Sequence, residues 1–530
     1  MSMRVRAGAW AAAAALLAGP VAGCDGGDRG DRGDSGHRAG GDGRSGAPAR
    51  TAPGSPGSPS SALPAALTGQ KPRWRGCEAP GGGEEPGAAW RCAAVKVPLD
   101  YRNPGSGTIS IALIRKEARE EDRRIGSLLF NFGGPGASGV GILPRTGDEY
   151  HALNARYDLV GFDPRGVGRS AGVVCRDDEE QAAAERSVDL TPDTPAEETA
   201  FIRDGAAFGA GCATRAGKLI AHVTTSNTAR DLDLIRHVLG DEKLHYLGFS
   251  YGTQLGATYA HLFPGNVGRA VLDAVVDPTT DTAGHARNQT TGFQRALNNY
   301  FRSRGEDPAA GTARVARLLQ RLDREPLPSS SGRKVTESLA VTGVVQTLYA
   351  QSMWPLLTQA LDEAEEQRTG DTLLRLADMY NNRDDRGRYG TEHHSQRAIS
   401  CADSSERPTV ADAEALVPEL RRISPVFGPF LAWDTAAWCA SWPVEGEAAA
   451  WDAGAPGAAP ILVVGTTGDS ATPYEGAQRM ADALGKGVGV LVTNKGEGHG
   501  AYGTSACVTR TVDAYLLEGK VPASGTTCTS

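Results

Sequence analysis

Apolar residues along this chain gather in short unbroken runs, and those runs set the architecture. Valine, isoleucine, leucine and phenylalanine dominate residues 127–132, 157–162, 244–249, 269–276, 460–466 and 487–493. Continuous hydrophobicity without alternation is what strands buried on both faces require, so these runs predict a mostly parallel sheet. Two earlier runs, 93–97 and 108–115, alternate more and predict an antiparallel edge. Between them and the later strands the period changes. Thr225, Ser226 and Asn227 offer N-caps, Ala229, Leu232, Ile235, Val238 and Leu239 share one face, and Gly240 can end the helix. A strand follows directly at residue 244, so this helix is a crossover between parallel strands.

From residue 281 to 450 the strand pattern stops and amphipathic helical stretches take over, among them 314–322, 341–365 and 373–379. Strand-like runs then resume. The helical segment is therefore read as a cap inserted between two strands of one sheet, in preference to an independent helical domain. The fold class is α/β, with a core formed by residues 71–280 and 451–530 around the cap at 281–450. Composition agrees with a large folded chain: 530 residues, 40% apolar and 22% charged. Lys and Arg number 55 against 63 Asp and Glu, a net charge of -8 that offers no footprint for a nucleic acid.

The N-terminus reads as an export segment. Arg4 and Arg6 form a short positive region, residues 9–17 an apolar run too short to span a bilayer, and small residues follow. The run ends at Val21-Ala22-Gly23-Cys24, which resembles the bacterial lipobox, where cleavage leaves a lipid-bearing cysteine as the new N-terminus. Residues 1–23 are expected to be a lipoprotein signal peptide and Cys24 the lipidation site, anchoring the protein to the outer face of a membrane. The alternative is a secreted protein with a chance cysteine. Residues 24–70 are expected to be a disordered tether, because Gly, Asp, Arg, Ser and Pro leave little apolar surface to repay ordering.

Export into an oxidising compartment makes disulfides the default for the other cysteines. None sits at metal-ligand spacing with histidine. Eight cysteines allow 105 connectivities, among which sequence alone does not choose; the expectation adopted is pairing of sequence neighbours, Cys77 with Cys92, Cys175 with Cys212, Cys401 with Cys439, and Cys507 with Cys528.

The candidate chemistry begins at Gly248-Phe249-Ser250-Tyr251-Gly252, a G-x-S-x-G sequence between a predicted strand and a helix-like segment. An abrupt strand-to-helix turn crowds the positions two before and two after its apex, which explains the glycines and lifts Ser250 clear of the sheet. A serine hydroxyl needs a base, and the base an orienter. Downstream, the strand at 460–466 leads into Asp469 and the strand at 487–493 leads into His499 within a glycine-rich loop. Both are expected on the same rim as Ser250, in the order Ser, acid, His. Phe132-Gly133-Gly134-Pro135-Gly136 follows the first buried strand, and the amides of Gly134 and Tyr251 are expected to stabilise an oxyanion. The stretch Gly134 to Gly139 also fits G-x-G-x-x-G, with Asp163 ending the next strand. A dinucleotide site there would leave Ser250, Asp469 and His499 unexplained, so no cofactor and no metal are expected. His393 and His394 would point apart on a helix and are read as a solvated face.

Taken together, the GGPG loop, Asp163-Pro164-Arg165-Gly166-Val167-Gly168-Arg169-Ser170, the GFSYG elbow, Gly468-Asp469 with Thr472-Pro473, and Gly498-His499-Gly500 resemble the proline-iminopeptidase-like α/β-hydrolases. The likeness is greatest to the exported actinobacterial tripeptidyl aminopeptidases, and it extends through Ala398 to Asp403 and Cys439 to Pro443. The resemblance implies an α/β-hydrolase fold and a serine exopeptidase releasing tripeptides from peptides with a free N-terminus. Such an enzyme needs a carboxylate for the substrate ammonium, for which Asp403 and Glu497 are the candidates. A lipid-anchored carboxylesterase with the same triad and a non-catalytic substrate-binding lipoprotein are the rival readings.

Overall fold

A computed structural model describes residues 63–79, 85–447 and 452–529. The expected signal peptide, Cys24 and the tether up to residue 62 lie outside the described residues. The sheet has ten strands. It opens with β1 (Arg75–Gly76), β2 (Trp90–Pro98) and β3 (Thr108–Lys116), and continues with β4 (Gly126–Asn131), β5 (Tyr157–Phe162), β6 (Leu244–Phe249) and β7 (Val267–Asp273). A separate hairpin, β8 (Leu327–Pro328) and β9 (Lys334–Val335), belongs to the long insertion that follows. The sheet then resumes with β10 (Ile461–Gly468), β11 (Gly489–Glu497) and β12 (Thr526–Thr529). The strand order is β1-β2-β3-β5-β4-β6-β7-β10-β11-β12, antiparallel from β1 as far as the β3–β5 pair and parallel beyond it.

Alternate residues of each central strand feed opposite cores, which is why those strands carry no polar face. Ile461 and Val463 join the cluster under α5 (Thr225–Leu239), α6 (Tyr251–Leu262) and α15 (Tyr474–Leu484), whereas Leu462 and Val464 join the one under α2 (Gly139–Thr146) and α16 (Ala506–Glu518). Thr224 caps the N-terminus of α5 through Asn227 N, and Gly240 ends that helix in the left-handed conformation. The short helix α1 (Ala65–Thr68) corrects the expected extent of the tether: Leu67 is buried in the core and Leu63 packs against it, so the folded body already includes this helix.

Between β5 and α5 the chain makes an excursion through α3 (Asp178–Ser187) and α4 (Pro195–Ala216). The insertion between β7 and β10 contains α7 (Thr282–Ser303), α8 (Pro308–Arg324), α9 (Glu337–Leu348), α10 (Trp354–Asp362), α11 (Asp371–Tyr380), α12 (Glu392–Asp403), α13 (Val410–Ile423) and α14 (Gly428–Cys439). Seven of these share a core of their own. The exception is α12, whose Ala398, Ile399 and Ala402 pack into the core beneath the sheet. The stretch 341–365, expected as one amphipathic run, is broken instead. Ala350 is extended, and Pro355 stands in the first turn of α10, where its missing N–H costs nothing. The histidine pair is likewise corrected: α12 is enclosed, so His394 is buried and accepts from Cys175 N, while His393 contacts the Tyr380 carbonyl.

Four disulfides join Cys77–Cys92, Cys175–Cys212, Cys401–Cys439 and Cys507–Cys528. The third ties α12 to α14. Each closes a short loop, and the loop-entropy model assigns about 3–4 kcal/mol to such a bridge.

Arg165 is the largest fully buried side chain and shows how the core is braced. Its guanidinium makes two hydrogen bonds to Asp231, at 2.7 and 2.6 Å, and donates to the carbonyls of Pro98, Leu99 and His222. Arg165→Leu leaves the Asp231 charge unpaired in the interior. The variant is expected to lose about 3–5 kcal/mol of stability, read as a lower urea midpoint. A midpoint equal to that of the parent would show the brace to be dispensable.

Candidate active site

Ser250, Asp469 and His499 follow the C-terminal ends of β6, β10 and β11, three parallel strands of one sheet. Ser250 sits at the turn from β6 into α6 with φ 56° and ψ -124°. This left-handed conformation costs a non-glycine residue on the order of 1–3 kcal/mol and persists only where its surroundings enforce it. They do: a Cβ at Gly248 would come within 2.5 Å of the Gly252 carbonyl, and one at Gly252 within 2.8 Å of the Asn131 carbonyl. The elbow closes this tightly only with glycine at both positions.

The Asp469 carboxylate is fully buried and saturated with donors. It accepts from Ala471 N and Thr472 N at 2.9 Å each, from Thr472 Oγ1 at 3.0 Å, and from His499 Nδ1 at 3.0 and 3.1 Å. Nδ1 facing a carboxylate must carry the proton, so Nε2 is left as the acceptor. The cap holds the same residue from the other side: His499 N donates to the Tyr349 carbonyl at 2.8 Å, and the Tyr349 ring meets the imidazole edge-on at 5.5 Å. Ser250 Oγ and His499 Nε2 are both buried, and neither has a hydrogen-bond partner. Two such atoms on one rim of the sheet are what an incoming acyl group would bring into play, since catalytic hydrogen bonds commonly tighten only around substrate.

The glycine loop lies directly against this elbow. Gly133 has φ +88°, and a Cβ there would meet the Phe249 carbonyl at 2.7 Å, Ser250 Cβ at 2.9 Å and Tyr251 N at 3.3 Å. Tyr251 is the first residue of α6, so its amide is among those the helix leaves unbonded. Gly134 follows in the same loop. Asp163, which follows β5, is committed elsewhere: it accepts from Ser138 Oγ, Val140 N and Arg169 N and so secures the start of α2.

The two carboxylates expected to receive an ammonium have different settings. Both oxygens of Asp403 are engaged by Thr225, by its N–H and its hydroxyl at 2.6 Å each, and that hydroxyl also contacts the Tyr251 phenol at 2.5 Å. Burial pushes the Asp403 carboxyl up to about 7 against the pull of those bonds. Asp403 thus fastens α12 to α5 and to the residue after Ser250, a correction to its expected part in amine binding. Glu497 lines a cavity of about 400 Å³ together with Tyr349, Gln351, Ser352, Lys495 and His499. Its Oε1 accepts from Asn299 of α7 at 2.9 Å, its Oε2 is buried without a partner, and burial raises its pKa.

A third carboxylate escaped the sequence. Glu392 opens α12, and its carbonyl oxygen packs against Gly136 of the glycine loop. Its Oε2 accepts from Asn382 Nδ2 at 2.9 Å, whereas Oε1 is shut off from solvent with no partner. Burial pushes this carboxyl up to about 7, with the Asn382 bond acting in the opposite direction. An acid in the first turn of a helix is ordinary in sequence, so nothing there marked it. Among the described residues no helix is long and apolar enough to cross a membrane.

Residues 424–528 match a protein family described as TAP-like protein. The chain is 37% identical over 473 residues to serine protease Hip1 of Mycobacterium tuberculosis, an alignment spanning 84% of this chain and 88% of that one. It is 32% identical over 471 residues to the tripeptidyl aminopeptidase of Streptomyces lividans, covering 83% of each chain. To carboxylesterase B of Mycobacterium tuberculosis it is 34% identical over 494 residues, covering 85% and 93%.

Proposed function

This chain belongs to the TAP-like, proline-iminopeptidase-like α/β-hydrolases and is a hydrolase of peptides or esters, and on that premise we propose that it is an exported serine exopeptidase releasing tripeptides from free N-termini. Ser250 Oγ attacks the scissile carbonyl while His499 Nε2 takes its proton. Asp469 holds the imidazole in the required tautomer and supports the imidazolium. The amides of Gly134 and Tyr251 receive the oxyanion. His499 then protonates the leaving amine, and water repeats the sequence on the acyl-enzyme. Cys24 anchors the protein by its lipid to the outer face of the membrane, with residues 25–62 as the spacer.

The exopeptidase reading is carried by one observation: Glu392, whose main-chain carbonyl packs against the glycine loop that faces Ser250, keeps one carboxylate oxygen buried without a partner. An ammonium from a peptide N-terminus would complete it. Glu497 is the second carboxylate available, on the His499 side of the site. A carboxylesterase reading has support of its own in the 34% identity to carboxylesterase B.

Three substrates separate the two: an unblocked tripeptide anilide, its N-acetyl form and a simple aryl ester. N-acetylation is expected to lower kcat/KM about 100-fold, because it leaves a buried carboxylate unpaired. Glu392→Gln should bring the two anilides close to parity. The pH dependence has a definite sign. Glu392 is ionised above about 7, and a peptide amine is cationic below about 8, so the charges match between those values. Below about 7 turnover of the free tripeptide should fall relative to that of the ester, which needs no ammonium contact. Equal rates for free and acetylated anilides, with a much faster ester, would decide for the esterase.

A further inference from the structure

We propose that Asp273, outside the Ser250, Asp469 and His499 set, is a positioning residue for the reaction: it holds the nucleophile and the imidazole loop in register and lends a buried negative charge to His499. The inference rests on the serine-hydrolase reading above. Asp273 is the last residue of β7, which lies between β6 and β10 in the sheet. It therefore stands between the strand that delivers Ser250 and the strand that delivers Asp469.

One residue bonds to both sides. Its carbonyl accepts from Ser250 N at 3.0 Å, one of the contacts that keep the elbow in its costly conformation. Its carboxylate accepts from Ala501 N at 3.2 and 3.0 Å and from Tyr502 N at 2.8 Å, the amides two and three residues beyond His499. A path of hydrogen bonds thus runs from the backbone N–H of the nucleophile, through the main-chain carbonyl and the carboxylate of one residue, to the loop that carries the base.

A neutral acceptor would serve for the two amides alone. An aspartate with no accessible surface is an expensive choice, because desolvation penalises its charge. Burial pushes the Asp273 carboxyl up to about 6; the Tyr502 and Ala501 amides pull it back, Asp469 adds to the rise and His499 opposes it. The groups around His499 are Asp469 and Thr472 from the loop after β10, Tyr349 from the end of α9, Asp273 from β7, and Lys495 and Glu497, which share its cavity from β11. Tyr150 faces Asp273 from the far side and is kept neutral by burial. With both acids ionised, the imidazolium formed during attack meets two negative charges, and Asp273 adds stabilisation that the Asp469 contact does not exhaust.

Asp273→Asn in the full-length chain tests this, with two readouts: the rate at which a fluorophosphonate labels Ser250, and kcat and KM on whichever of the three substrates the parent hydrolyses. Labelling and kcat should fall about 10- to 100-fold, the scale of a misplaced reacting group, with KM within twofold. The acid limb of the pH profile should move to lower pH, since removing a nearby negative charge makes the imidazole harder to protonate. A purely structural role would lower rate and melting temperature together and leave that limb in place; that result, or a rate within twofold of the parent, overturns the proposal. Should the Asn variant not fold, Asp273→Ser keeps one acceptor, removes the charge and carries the same pH readout. A parent that is not labelled at all would instead refute the serine-hydrolase reading, and this proposal with it.

Discussion

Ser250→Ala is expected to abolish turnover of every acyl substrate, lowering kcat by about four to six orders of magnitude, the loss seen when the nucleophile of a serine protease is removed. The oxyanion amides and substrate contacts survive the change and account for whatever rate remains. Stability should be untouched. Ser250 Oγ makes no hydrogen bond, so its deletion leaves no partner stranded, and alanine occupies the left-handed elbow no worse than serine. Three measurements check this together: kcat, stoichiometric fluorophosphonate labelling of the parent but not the variant, and a melting temperature common to both. A variant that still turns over or takes up the label would sink the assignment of Ser250 and leave room for the non-catalytic binding lipoprotein.

Asp469→Asn should cost nearly as much, about 10⁴-fold in kcat, for a reason visible in its donors. One carboxylate oxygen accepts from Ala471 N and Thr472 N and shares the His499 Nδ1–H with the other, and the amide oxygen of asparagine can take over the two amide bonds. The new NH₂ must then face Thr472 Oγ1 and His499 Nδ1, where only acceptors of N–H and O–H stood before. It donates to Nδ1 and drives the ring proton to Nε2. An imidazole in that tautomer has nothing with which to take the Ser250 proton. KM should change little, because no substrate atom is touched. Retention of more than a tenth of the parent kcat would show that Asp469 is not the orienting acid.

Much of the fold was legible because its signals are local. The runs ending at Asn131, Phe162, Phe249 and Asp273 are strands because each buries both faces, and a sequence displays that as unbroken hydrophobicity. The elbow was legible because steric crowding at Gly248 and Gly252 admits only glycine. The misreadings share a cause of another kind. Residues 341–365 keep helical periodicity across a break, because periodicity reports which face is apolar and not whether the backbone continues through Ala350. His393 and His394 looked like surface residues, yet α12 is enclosed by the cap, the excursion helices and the sheet. Leu67 looked like the tail of a tether and became part of the core.

Sequence alone determined the central strands, their order along the chain, and which serine, acid and histidine follow strand ends. Each follows from interactions among residues a few positions apart, or from the alternation of one strand. Only the tertiary structure decided the fate of the carboxylates. Asp403 is tied up by a threonine 178 positions away, Glu392 is left with one buried carboxylate oxygen unpartnered, and Asp273 spans the 228 positions to the histidine loop. A charge declares itself in the sequence, but its solvation and its partners are set by chain segments that meet only once the core has closed.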